Sequence, residues 1–318
     1  MSLGIITQNL GVPNINLKSA LLVVVIRIVY QSVVAGIVTV CYKSIDNFYK
    51  RKTTMFGGFT GLTNPTGTDW GEKMLNTVAS KTIRHLFTQS ESVEVFVRCY
   101  PSSKLLQGSI DSFKMSGRGL VIRKDFWVEE MSFETDAVAI DFGSVLGGKL
   151  ALKQSTQAVA SVTLSETGIN QAFTAELVKK RLQNLSLPAL TDLSEGKPVS
   201  FDQVQLQLLP ENQVQITAIA DLSNDNRVPI SLRATIAIER RRRLAFQNPQ
   251  FELDNVAQSQ QEISLALAKA MAEILNNMVD LDRFDLDGVT MRLNRLETSG
   301  KNLIFSGYAQ IERIPGNG

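Results

Sequence analysis

The chain changes its hydrophobic rhythm several times. From Ala20 to Tyr42 (ALLVVVIRIVYQSVVAGIVTVCY) apolar residues dominate for 23 positions, and Arg27 is the only charge. Roughly 20 apolar residues cross a bilayer as a helix, so the run is long enough to span. Its Val and Ile content, and a mid-membrane cost of about 2.5–3.5 kcal/mol for Arg27 that snorkelling reduces, weigh against insertion. Two readings of residues 1–54 therefore stand: an N-terminal extension with a transmembrane helix over 20–42, or a translated leader ahead of Met55. Lys43, Lys50, Arg51 and Lys52 follow the run and only Lys18 precedes it, which orients a true span with the rest of the chain in the cytoplasm. No A-x-A-like cleavage site follows the run. Without the span the expected compartment is the cytoplasm, and the periplasm stays open.

Residues 55–68 hold the Gly-rich stretch FGGFTGLTNPTG, a linker. Helical spacing then begins: Asp69 is a candidate N-cap for a helix over Trp70–Phe87, with Trp70, Met74, Val78 and Ile83 on its apolar side. Period-two alternation follows at Val93, Val95, Val97 and Cys99, and predicts further strands at 108–122, 126–141 and 149–164. A second helix is predicted over Ser165–Leu185, stopped by Pro188. Val204, Leu206 and Leu208 alternate with glutamines, turn at Pro210-Glu211-Asn212, and return through Val214, Ile216, Ala218 and Ala220 as a hairpin. Ile230–Ile238 and Leu244–Leu253 extend that sheet. A third helix is predicted over Ser259–Val279, and a closing hairpin pairs Val289, Met291 and Leu293 with Leu303, Phe305 and Ile311 around Ser299-Gly300-Lys301. Strands in runs between helices, without regular strand–helix alternation, indicate an α+β fold with antiparallel sheet.

Composition narrows the chemistry. The 318 residues carry 33 Lys+Arg against 31 Asp+Glu, a net charge of +2, which gives no field for gathering nucleic acid. A single His (His85) leaves one imidazole base for any nucleophilic triad and excludes multi-His metal sites. Near a helix C-terminus, His85 has an ordinary dipole role. Cys41 and Cys99 are too few and too distant for a disulfide framework or a zinc pattern.

Three motifs invite chemistry and fail on context. Gly143–Lys149 satisfies G-x-x-x-x-G-K, but Leu150 replaces the magnesium-binding hydroxyl and a strand pattern follows where a helix N-terminus is needed. Asp280, Asp282, Asp285 and Asp287 with Gly288 suggest calcium. Placing Gly288 at the sixth loop position puts Arg283 and Asn294 where acids are required. Arg123-Lys124-Asp125-Phe126-Trp127 reads as a basic hairpin turn with aromatics suited to an interface. No cofactor, metal ligand or catalytic residue is assigned, and the chain is not expected to be an enzyme.

Two features point to lipid. A long apolar sheet face with about three helices to cover it leaves room for a groove suited to acyl chains, whose burial yields about 0.8 kcal/mol per methylene. Val204, Leu206, Leu208, Val214, Ile216, Ile236, Ile238, Met291 and Phe305 are the candidate positions facing either the tails or the covering helices. The four consecutive arginines Arg240, Arg241, Arg242 and Arg243 are the candidates for head-group or membrane-surface attraction, because guanidinium forks match phosphate; the alternative is a solvated strand end.

The segments DWGEKMLNTVASKTIRHLFTQSESVEVFVRCYPSSKLLQGSIDSF, GLVIRKDFWVEEMSFETDAVAIDFGSVLGGKLAL, LSETGINQAF and LDGVTMRLNRLETSGKNLIFSGYAQI closely resemble cyanobacterial members of the LmeA-like phospholipid-binding family. The resemblance covers 69–315. It implies a curved antiparallel sheet wrapped around long helices, similar to tubular lipid-binding folds, and noncatalytic binding of a phospholipid or similar amphiphile. It also implies a role in lipid transfer or envelope maintenance; actinobacterial members are generally exported to the periplasm. The competing reading is a structural or protein-interaction module with a fully filled core.

Overall fold

The computed structural model describes residues 76–312 apart from 78, 82, 86, 123, 142–150, 187–193, 223–225, 279–280 and 282–288. The Ala20–Tyr42 run, the Gly143–Lys149 motif and Asp280, Asp282, Asp285 and Asp287 lie outside the described residues, as do Trp70 and Met74 of the first predicted helix.

Helical residues at 76–77, 79–81 and 83–84 lead into β1 (Ser92–Arg98). The short β2 (Ser109–Ile110) and long β3 (Ser112–Ile122) follow. Then come β4 (Phe126–Thr135), β5 (Val138–Asp141), β6 (Ala151–Leu152) and β7 (Thr156–Ser165). Helices α1 (Glu166–Thr174) and α2 (Glu176–Leu182) precede β8 (Ser200–Leu208), β9 (Gln213–Asp221), β10 (Arg227–Glu239) and β11 (Arg243–Phe251). Helix α3 (Gln261–Met278) and the hairpin β12 (Val289–Ser299) and β13 (Asn302–Ile311) complete the chain.

The strands form a six-stranded sheet in the order β1-β3-β4-β7-β13-β12, a four-stranded sheet β11-β10-β9-β8 and a small β2-β5-β6 sheet. Neighbours in all three are antiparallel. The expected α+β class with antiparallel strands is therefore present, but its single wrapped sheet is divided, and the predicted 165–185 helix is broken. Ala175 is extended (φ −62°, ψ 137°) between α1 and α2. The break lets each piece bury its own stripe: Gly168, Ile169 and Ala172 in α1, Val178 and Leu182 in α2. Helix α1 starts as its sequence predicts, with the Ser165 hydroxyl accepting from the Gly168 amide at 3.2 Å.

Helix side chains close the sheet edges. The amides of Val95 and Val97 on β1 donate to Ser80 Oγ (3.0 Å) and Asn76 Oδ1 (2.7 Å). On β8, Leu206 and Leu208 are held by Asn170 and Glu166 of α1. On β11, the Phe246 amide donates to Asn276 Oδ1 of α3 at 2.8 Å. Each contact satisfies edge groups that would otherwise recruit another strand. The β12 edge is closed differently, by hairpin turns of the four-stranded sheet. Asn212 exchanges hydrogen bonds with Thr298 (3.0 and 2.8 Å), and the Leu293 amide donates to the Arg241 carbonyl at 2.6 Å.

One apolar cluster joins both sheets, with Phe113, Met115 and Phe133 from the larger and Ile216, Leu232 and Ile236 from the smaller, together with Leu267 and Met271 of α3. Helix α3 packs on β10 and β11, while α1 lies between β4 and β8. No helix among the described residues is long and apolar enough to cross a membrane.

Candidate functional site: an apolar groove on the six-stranded sheet

The register of the six-stranded sheet gathers small residues on its inner face. Ala160 lies opposite Phe133 on β4 and Gly307 on β13, and Ala158 lies opposite Thr135 and Ala309. One step further, Val162 faces Met131 and Phe305. Four neighbouring inner-face positions thus carry only a methyl group or a hydrogen, while Phe133, Val162, Phe305, Met291 and Leu293 rise around them. The result is a small apolar hollow of about 40 Å³, lined by these residues with Arg292 and Tyr308. That volume lies below the roughly 300–1,000 Å³ of preformed small-molecule sites, so it is a shallow seat for hydrocarbon and not an enclosed cavity. An apolar lining of this kind suits hydrocarbon.

Gly307 serves the pocket in two ways. It keeps the floor low, and it admits β12: a Cβ at this position would collide with the Arg292 carbonyl oxygen. The approach is tight because β12 bulges beside it, with the register slipping between Leu293 and Arg295 so that Asn294 has no partner on β13. The outer face of the same sheet is wet, with Ser116, Ser132, Ser161 and Ser306 forming a row across four strands.

Arg240 and Arg241 form the β10–β11 turn, both with positive φ (49° and 58°), docked on the outer edge of β12. The Arg241 guanidinium carbon stands 5.1 Å from the centre of the Tyr308 ring, and its Nη2 donates to Asn294 Oδ1 at the bulge. Arg243 pairs with Glu239, its Nε donating at 3.1 Å. That hydrogen bond, aided by Gln247, holds the Glu239 carboxyl below the usual carboxylate range. Arg292 bends back so that Nη1 donates to the Met291 carbonyl at 2.7 Å on the same edge.

Of the nine positions expected to face either the tails or the covering helices, Met291 and Phe305 line this pocket. Val204, Leu206, Leu208, Val214, Ile216 and Ile236 are buried in the shared cluster, and Ile238 is half-buried against it. Ala158, Ala160, Gly307 and Ala309 escape sequence reasoning. Their signal, small residues at period two in QAVASV and FSGYAQ, acquires meaning only when β7 and β13 are known to be neighbours. Elsewhere, His85 is exposed and Cys99 is buried with its thiol directed at the Ser109 carbonyl. Trp127 is partly exposed at the start of β4, where α1 comes close enough that a Cβ on Gly168 would sit 3.2 Å from Trp127 Cβ. No group of three or more His, Cys, Asp or Glu suited to a metal ion occurs among the described residues.

A sequence model described as LmeA-like phospholipid-binding matches residues 66–307. No curated protein matches the chain, and no solved structure does.

Proposed function

Because this chain belongs to the LmeA-like phospholipid-binding family, we propose that it binds a phospholipid or similar amphiphile without catalysis, seating acyl chain in the groove over Ala158, Ala160, Gly307 and Ala309. The observation that carries this reading is the combination of a small-residue floor with apolar walls on an otherwise well-filled sheet. Each methylene buried there yields about 0.8 kcal/mol. Met291 and Phe305 contact the tail, whereas Val204, Leu206, Leu208, Val214, Ile216, Ile236 and Ile238 form the apolar layer that the helices cover. The Arg240–Arg243 turn supplies positive charge for a head group or an anionic membrane surface.

On this reading the molecule is a variant of the tubular lipid-binding architecture, works at a membrane surface, and serves lipid transfer or envelope maintenance. The competing interaction-module reading draws on the four-stranded sheet, where Val214, Ala220, Val228 and Leu232 are wholly buried. Lipid extraction from the full chain purified from its native host, followed by mass spectrometry, separates the two. The lipid reading expects stoichiometric amphiphile; none, together with no binding to anionic vesicles, gives the interaction module.

A further inference from the structure

The polar side of the β8–β9 hairpin carries no charge where its apolar side meets the core. Between Gln203 and Thr217 the outward side chains of the two strands are five glutamines and one threonine. The outer face of the six-stranded sheet, by contrast, carries ion pairs, Lys114 with Glu134 and Arg118 with Glu130. The segment after β11 folds across the glutamine face. The Glu252 amide donates to the Ser231 carbonyl at 3.1 Å. Its carboxylate accepts from Gln215 Nε2 (2.6 Å) and Ser231 Oγ (3.2 Å), and pairs with Arg233 at 3.3 Å. This pinned segment and the sheet bound a groove of about 310 Å³, within the roughly 300–1,000 Å³ of small-molecule sites. Ile219 and Pro229, opposite each other on β9 and β10, give the groove an apolar patch. Gln203, Gln205, Thr217 and Asn255 also line it, and their side chains make no hydrogen bond among the described residues. The register slip between Asp202 and Gln205, with Gln203 at φ 53°, brings Gln203 to the groove.

We infer that this groove binds a neutral saccharide. Each amide side chain offers a donor and an acceptor side by side, and the Thr217 hydroxyl offers both on one atom. A ligand that satisfies them must itself carry closely spaced groups that donate and accept, as vicinal hydroxyls do. A sugar ring also presents a face of C–H groups, for which Ile219 and Pro229 supply the apolar surface. Other chemistries fit less well. Glu252 and Asp254 line the groove and repel phosphate or carboxylate. An extended peptide needs the unpaired main chain of a sheet edge, whereas this groove lies over β8, β9 and β10, whose main chains pair with one another. Glu252, engaged by Gln215, Ser231 and Arg233, is the positioning residue that fixes the wall. Val204, Leu206, Val214 and Ile216 are buried on the opposite face of the same strands. The site is therefore separate from the tail groove and does not rest on that reading.

The test titrates full-length protein, isotope-labelled at glutamine and asparagine, with glucose, galactose, maltose and sucrose. The readout is the side-chain amide resonances of Gln203, Gln205 and Asn255. At least one of these sugars is expected to shift them saturably with a Kd of about 1 mM, as a few net hydrogen bonds provide. Gln205→Ala is expected to weaken that binding about tenfold, the loss of one hydrogen-bonding side chain. Asn255→Ala provides a second variant with the same expected direction. Gln207→Ala, on the same strand but outside the groove, is expected to leave the affinity unchanged. Glucuronate and galacturonate, the anionic counterparts of the single-ring sugars, are expected to bind about tenfold more weakly than glucose and galactose. No saturable shift from any of the neutral sugars overturns the assignment, returns the glutamines to a merely hydrated face and leaves the lipid reading untouched. Tighter binding of the anionic sugars overturns it, and so does unchanged affinity in both Gln205→Ala and Asn255→Ala.

Discussion

Asn170 acts toward Leu206 as a further strand would. Its Nδ2 donates to the Leu206 carbonyl at 2.9 Å, and the Leu206 amide donates to its Oδ1 at 2.7 Å. Asn276 repeats the arrangement on Phe246 at the opposite edge of the same sheet. Asn170→Ala strips both bonds from a half-buried edge and is expected to lower unfolding stability by about 2 kcal/mol. Urea denaturation gives the loss, and amide exchange should accelerate at Leu206 before neighbouring β9. A change within a few tenths of a kcal/mol would mean that solvent replaces the amide without cost.

Filling the groove should remove lipid while preserving the fold. Ala160→Leu adds bulk to the centre of the floor and is expected to cost about 1–3 kcal/mol through overpacking. Bound amphiphile should fall severalfold. Ser161→Leu, one residue along but on the outer face, is the control and should leave lipid content intact. Equal lipid recovery from both variants would remove the groove from the account.

Gly307→Ala tests the close approach of β12. The added methyl group would meet the Arg292 carbonyl, main chain that has little room to give. The expected destabilisation is about 2 kcal/mol, near the middle of the range for overpacked sites. Amide exchange should rise first along Met291–Arg295. Unchanged exchange there would show that the bulge can absorb the methyl group.

Acid should weaken the β1–β3 corner. Hydrogen bonds from the Lys104 ammonium and the Tyr100 amide hold the Asp111 carboxyl below its ordinary value of 3.8. A depressed folded pKa contributes stability that is fully present above 3.8 and is lost as pH falls through the lower, folded value. Urea midpoints measured from neutral pH downward should therefore show the natural protein losing its advantage over Asp111→Asn in that acidic window. A constant gap at every pH would remove Asp111 as the cause.

The elements legible in the sequence were those whose pattern is locally complete. The β8–β9 alternation of Val204, Leu206 and Leu208 with Val214 and Ile216 fixes both strands and the turn at Glu211-Asn212, where both residues have φ 58°. The closing hairpin around Gly300 was equally plain. The break at Ala175 was not, because Thr174-Ala175-Glu176 contains neither Gly nor Pro; the packing of two separate stripes overrides local propensity there. The groove was hidden for another reason. An alanine in an alternating strand reads as ordinary core, and only the long-range register that places Ala158 beside Ala309 and Ala160 beside Gly307 turns four small residues into a hollow.

The strand order carries one last implication. β7 and β13 are immediate neighbours in space, yet the whole four-stranded sheet and α3 are inserted between them in the chain. During synthesis Ala158 and Ala160 therefore emerge well before β12 and β13, and the hollow takes shape only once that hairpin has paired along β7.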